Sequence, residues 1–349
     1  MDNGHMKKML IKASVFTVLS LAIMLQRSAT KHIMITDASG GQVERDVAAD
    51  TYNILISDKA AAGKKDILTI PLPKNVSSDD IVLEDRYIDH ELLIHINSRE
   101  EGFYLDTPVV TGLDSIESAV CICENNTGSV CLDFKMNDLY ANESLLTDQG
   151  TIEVSFFKPQ DRYERIVVVD PVGGGSDLGD VSGDVCEKDV ALLVAKELKF
   201  VAEKDIGVRT KIYFTRLEDE ELSADRRSEF VRETGAQLFV RLGVGDSDDA
   251  NVSGVMTGYN DSFFLRGLNN GEFADILEKN CVAMMNCNAA GCEALEDEVL
   301  AGCTIPAAKV DVGFVSNQQD INNMTQKAYA RKAAEGVYRG ILEAFKEME

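Results

Sequence analysis

Residues 165–177 read Arg-Ile-Val-Val-Val-Asp-Pro-Val-Gly-Gly-Gly-Ser-Asp, and this stretch sets the class of the C-terminal half. The unbroken β-branched run at 166–169 is the pattern of a strand buried on both faces, as in a parallel sheet. Asp170-Pro171 and the three glycines end it, since proline removes a backbone donor and glycine admits conformations other residues avoid. Downstream, Val190, Val194, Leu198 and Val201 fall on one stripe and predict a helix over 187–201. Further out, strands at 208–215, 237–242 and 307–312 alternate with helices at 223–233, 272–285 and 325–345. Alternation of this kind implies an α/β domain over 161–349 on a mainly parallel sheet.

The preceding segment, 31–160, has a different grain. Short apolar or alternating runs at 66–72, 81–83, 91–96, 118–123, 129–134 and 151–157 are separated by turn-forming residues. They predict a small antiparallel β domain of the sandwich type. His90 and His95 fall around one of these strands at an odd separation, which sends them to opposite faces and away from a shared metal.

Residues 1–30 carry targeting information. Lys7, Lys8 and Lys12 precede an apolar run at 13–25, the shape of a secretory signal or signal-anchor. No small-x-small cleavage site of good quality follows, so the reading is an uncleaved anchor with the bulk of the chain outside the membrane; a cleaved signal and a buried helix are the alternatives. The chain of 349 residues carries a formal net charge of −24. That excess of carboxylates excludes nucleic acid as a partner, because phosphate contacts need clustered Lys and Arg. Eight cysteines could pair in an exported protein, and buried free thiols are the competing reading. The acidic stretch at 246–249 lacks the spacing of an EF-hand and reads as a solvated loop.

The motifs carry more chemistry than the composition does. Asp170-Pro171 and Gly174-Gly175-Ser176-Asp177 frame the first loop, and Glu187-Lys188-Asp189 opens the next helix. Thr215-Arg216-Leu217-Glu218-Asp219 follows, with Arg227 on the helix after it. Phe239-Val240-Arg241-Leu242-Gly243 and Val310-Asp311-Val312-Gly313-Phe314-Val315-Ser316-Asn317 complete the order. Taken together, this ordered set resembles the zinc-dependent N-acetylmuramoyl-L-alanine amidases, which cut bacterial peptidoglycan. The resemblance covers the chain from about 165 onward, and a β domain ahead of it is similar to the wall-targeting domains of that family.

What the resemblance implies is a site with pieces missing. Gly173 stands at the first zinc-histidine position, Glu187 at the second ligand and Gly243 at the third, while Asp311 replaces the catalytic glutamate. No histidine follows His95, so this domain cannot supply the missing ligands elsewhere. A catalytic zinc needs about three protein ligands and an open position for water, and Asp311 withdraws its carboxylate by about 1.5 Å relative to glutamate. The expectation is therefore a pseudoenzyme with no cofactor, binding peptidoglycan or a cell-envelope protein through candidates Asp170, Asp177, Glu187, Arg216 and Arg227. The alternative is an active amidase in which Asp170, Asp177, Glu187 and Asp311 surround another metal, such as Mg²⁺ or Mn²⁺. Each retained residue also has a purely structural reading: Asp170 and Asp177 as turn formers, Glu187 as a favourable charge in the first turn of a helix.

Overall fold

The computed structural model describes residues 51–53, 67–98, 100, 102–107, 109, 113–123, 129–205, 210–262, 265 and 267–349. The apolar segment at 13–25 lies outside them. Among the described residues no helix is long and apolar enough to cross a membrane. The chain divides into two units, Met1–Asn137 with Asn142–Phe156, and Asp138–Ala141 with Phe157–Glu349.

Among the described residues the first unit contains two antiparallel sheets. One has five strands in the order β1 (Thr51–Asn53), β5 (Ile116–Cys123), β6 (Val130–Met136), β4 (Glu91–Ile96) and β3 (Ile81–Arg86). The other runs β2 (Ile67–Pro71), β8 (Thr151–Phe157) and β7 (Ala141–Leu146). Alternation shapes them: on β6, Val130, Leu132, Phe134 and Met136 are buried while the residues between are half-exposed. β7 was not foreseen, because Ala-Asn-Glu-Ser-Leu-Leu is mostly exposed and carries no apolar period. His90 also departs from expectation. It sits in a left-handed turn (φ 56°) ahead of β4, whereas His95 lies within the strand, its Nε2 3.4 Å from Glu84 Oε2.

In the second unit a six-stranded sheet runs β12 (Thr210–Phe214), β9 (Arg165–Pro171), β13 (Leu238–Gly245), β16 (Ala307–Phe314), β14 (Val255–Tyr259) and β15 (Ala289–Ala294). All neighbours are parallel except β14 and β16. A two-stranded ribbon, β10 (Val181–Ser182) with β11 (Val185–Cys186), lies in the loop after β9. The helices that follow β9 are α1 (Glu187–Lys204), α2 (Ala224–Thr234), α3 (Asn270–Met285), α4 (Glu298–Ala301), α5 (Gln318–Met324) and α6 (Lys327–Glu347). Their ends follow local chemistry: the Ser223 hydroxyl accepts from Arg226 N at the start of α2, and Asn269 with Glu272 forms a capping box on α3. The helix expected over 325–345 is present as α6. A short helix not expected, α5, precedes it, started by the Asn317 side chain, which accepts from Gln319 N and Asp320 N.

The pleat sorts the sheet's residues into two sets. Val167 and Val169, Leu238, Val240 and Leu242, and Ala308, Val310 and Val312 join one core with Val190, Val194 and Leu198 of α1 and with α3 and α6. Their alternates, Asp170, Arg241, Gly243, Lys309 and Asp311, therefore project from the other face. On that face β13 pairs Arg241 with Lys309 and Gly243 with Asp311. The strand order turns about β9, with β12 on one side and β13 on the other, and the crevice outside the carboxyl ends of such strands is where open α/β sheets place their sites.

Candidate functional site

The Gly-rich loop is a closed turn held from below. Val172 N donates to Leu242 O (2.9 Å), and Gly174 and Asp177 exchange backbone bonds of 2.9 and 3.1 Å. Lys188 Nζ donates to Gly175 O (3.0 Å) and Asp219 Oδ2 (2.7 Å), and Gly175 N donates to Asp219 Oδ1 (2.8 Å). Gly173 has φ +70°, and a Cβ there would stand 2.7 Å from Asp177 O. This is a position built for glycine.

Beneath the turn lie three of the predicted binding candidates, Arg216, Arg227 and Asp170, buried in the fold. Arg216 is buried and donates to the carbonyls of Pro171 (3.1 Å), Val172 (2.8 Å), Lys188 (2.9 Å) and Glu218 (3.1 Å). Arg227 donates to Asp170 Oδ1, Pro171 O (3.0 Å), Gly173 O (2.6 Å) and Leu222 O (3.2 Å). Asp170 also accepts from Thr215 Oγ1 at 2.6 Å, and its Oδ2 forms an ion pair with Arg241 Nε at 3.6 Å. Arg241 in turn donates to Asp297 Oδ1 (3.0 Å). Guanidinium forks in these positions tie the end of β9, the turn and the start of α1 into one unit. Asp177, by contrast, is exposed, with Oδ1 accepting from Gly179 N at 3.1 Å.

Glu187, Gly243 and Asp311 do come together, and a residue that the sequence reading passed over lies among them. Lys309 Nζ is 3.2 Å from Glu187 Oε1 and 2.8 Å from Asp311 Oδ1. The Lys309–Asp311 contact is an ion pair without hydrogen-bond alignment, so that buried oxygen has no directed donor. Glu187 Oε1 also accepts from Val244 N (3.0 Å) and Oε2 from Asp180 N (3.1 Å). A Cβ on Gly243 would lie 2.5 Å from Glu187 Oε1, 2.5 Å from Lys309 Cε and 2.8 Å from Asp311 Oδ1. Gly243 thus leaves the room that the Lys309 stem fills.

The electrostatics follow from this crowding. Burial pushes the Asp311 carboxyl up to about 6; the Lys309 ammonium works against that rise, and the Glu187 and Asp180 charges add to it. Burial by itself would depress the Lys309 ammonium, but the Asp311 and Glu187 carboxylates outweigh it and hold the group above its ordinary value. Asp180 is raised by burial first and by Glu187 second.

Zinc does not fit this donor set. Two of the ligand positions that the resemblance implies are glycines, and Gly173 cannot accept a side chain without moving Asp177. Glu187 already serves two backbone amides and one ammonium. Nor does the structure gather Asp170 and Asp177 with Glu187 and Asp311 into the carboxylate cage considered above: among the described residues no group of three or more His, Cys, Asp and Glu side chains could hold a metal ion. Lys309 had a signal available, since a lysine two residues before Asp311 in an otherwise apolar strand must share its face. Asp180 had none, because it comes from an irregular loop.

Comparison with known proteins bears on the same half of the chain. "Uncharacterized protein YqiI" of Bacillus subtilis is 25% identical over 181 residues, 51% of this chain and 83% of that protein. The germination-specific N-acetylmuramoyl-L-alanine amidase of B. subtilis is 24% identical over 197 residues, 52% of this chain and 81% of its own. Among solved structures, the catalytic domain of CwlV, an N-acetylmuramoyl-L-alanine amidase from Bacillus (Paenibacillus) polymyxa var. colistinus, is 22% identical. It covers 53% of this chain and 99% of that one, with a TM-score of 0.48. A sequence profile described as N-acetylmuramoyl-L-alanine amidase matches residues 167–343, just over half of the chain. With the ordered motifs from Asp170 to Asn317, this match establishes that the chain belongs to the N-acetylmuramoyl-L-alanine amidase family.

Proposed function

We propose that the chain is a non-hydrolytic member of this family that binds peptidoglycan or a cell-envelope protein outside the cell. The observation that supports it is the state of the three ligand positions: glycine at 173 and 243, and a Glu187 carboxylate spent on Val244 N, Asp180 N and Lys309. Metal-assisted amide hydrolysis requires a bound water whose pKa falls to about 7 and a carboxylate that moves its proton. An ammonium carries one charge, offers no open coordination position and cannot supply such a water. In this reading residues 1–30 are a signal-anchor that holds the protein at the membrane by its basic flank and apolar run, and residues 31–160 are a wall-targeting module.

One sample of the purified chain tests the reading. Incubated with insoluble peptidoglycan and with muropeptides, with and without Zn²⁺ and Mn²⁺, it should sediment with the wall and release no stem peptide. Metal-dependent release of peptide would refute it in favour of an active amidase with an atypical metal site. Failure both to sediment and to capture an envelope protein would remove the binding role.

A further inference from the structure

The geometry points to Lys309 as a built-in cation that takes the place of a metal ion, holds Glu187 and Asp311 together and keeps divalent ions out. Three independent features of the structure converge on it. The ammonium lies 3.2 Å from Glu187 Oε1 and 2.8 Å from Asp311 Oδ1, so it bridges the two carboxylates that the motif resemblance implies at a ligand and at the catalytic position. Its stem occupies the volume that a side chain at 243 would need: a Cβ there would approach Lys309 Cε to 2.5 Å. A side chain at 243 therefore cannot coexist with Lys309 in its present conformation. Finally, the strand pleat puts Lys309 two residues from Asp311 on the same face and beside Arg241 across the β13–β16 pair, so the lysine reaches the site from within the sheet.

Removing two carboxylates from water is costly unless a cation compensates them. In a metalloenzyme that cation is the metal; in this chain it is covalently attached and present in every folded molecule. A divalent ion bound to Glu187 Oε1 would lie about 2.0–2.2 Å from it, in the space now shared with Lys309 Nζ, and would be repelled by the ammonium. The inference shares with the proposed function the premise that the site takes no zinc. Its test is metal uptake rather than peptide release or wall binding, so the two fail separately.

The test compares the purified chain with K309A, K309Q and K309A/E187Q by Mn²⁺ titration, followed by electron paramagnetic resonance and thermal melting. Wild type should leave the free Mn²⁺ signal unchanged. K309A should bind one Mn²⁺ at least about tenfold more tightly than wild type, and its melting midpoint should rise with MnCl₂, as mass action requires of an ion that binds only the folded state. K309A/E187Q should lose both effects. Should K309A not fold, K309Q decides, because its amide keeps donors for the carboxylates and adds an oxygen ligand. Stoichiometric Mn²⁺ on wild type that disappears on Glu187→Gln would overturn the proposal. So would a folded variant that gains no affinity.

Discussion

Gly243→Ala is the sharpest probe of how the site is interlocked. The new methyl would stand 2.5 Å from Lys309 Cε, 2.5 Å from Glu187 Oε1 and 2.8 Å from Asp311 Oδ1, each well inside ordinary van der Waals separation. Three side chains must retreat by about 1 Å, and overpacking on this scale costs about 1–3 kcal/mol. Loosening the ammonium from its two buried carboxylates adds to that, so a total of about 3 kcal/mol is expected. In a Lys309→Ala background the closest carbon is gone and the carboxylates are no longer pinned. There the same methyl should cost less than about 1 kcal/mol, leaving a coupling of about 2 kcal/mol. Urea denaturation of the four proteins at neutral pH, followed by circular dichroism and fitted to the transition that the substitutions move, gives the cycle. Additivity within about 0.5 kcal/mol would show that Gly243 and Lys309 do not compete for one volume.

Other consequences follow from the same geometry. Asp311 keeps its proton up to about pH 6 in the folded chain against an ordinary value of 3.8, so the folded state binds more protons than the unfolded state between about pH 4 and 6. Its contribution to stability is present below that window and is lost as pH rises through it, by about 3 kcal/mol; Asp311→Asn should flatten this part of the stability curve, and an unchanged slope refutes the assignment. Arg227→Met leaves the buried Asp170 carboxylate without its principal partner and should cost about 3–5 kcal/mol in urea melts, with Arg227→Lys only a partial rescue because a lysine has no fork to span Asp170, Pro171 and Gly173. Introducing the residues that the resemblance implies, as G173H/G243H/D311E, should give a destabilised protein without stoichiometric zinc, since position 173 has a left-handed backbone and no space for a Cβ; zinc uptake with unchanged stability would contradict that. Ser223→Ala should lower stability by about 1 kcal/mol through loss of the cap on α2.

The sequence by itself determined the alternating α/β order of the second unit, because buried β-branched strands and amphipathic helices announce themselves through local period. It also determined that positions 173 and 243, where the resemblance implies zinc ligands, carry no donor, since glycine there is a matter of residue identity. Tertiary structure decided the rest. β14 and β15 escaped notice because each is short, contains glycine and is held by neighbours distant in sequence. Asp170, Arg216 and Arg227 read as ligand-binding charges or as clamps until burial showed the two arginines spent on backbone carbonyls and on Asp170 Oδ1, with Asp170 Oδ2 left to an ion pair with Arg241. Lys309 is the clearest case. Its place on the same face as Asp311 was implicit in the two-residue pleat, but its meeting with Glu187 depends on the parallel pairing of β16 with β13 and on α1 starting at the mouth of the same crevice. Local period fixes which way a side chain points; only the packed sheet fixes what it meets there.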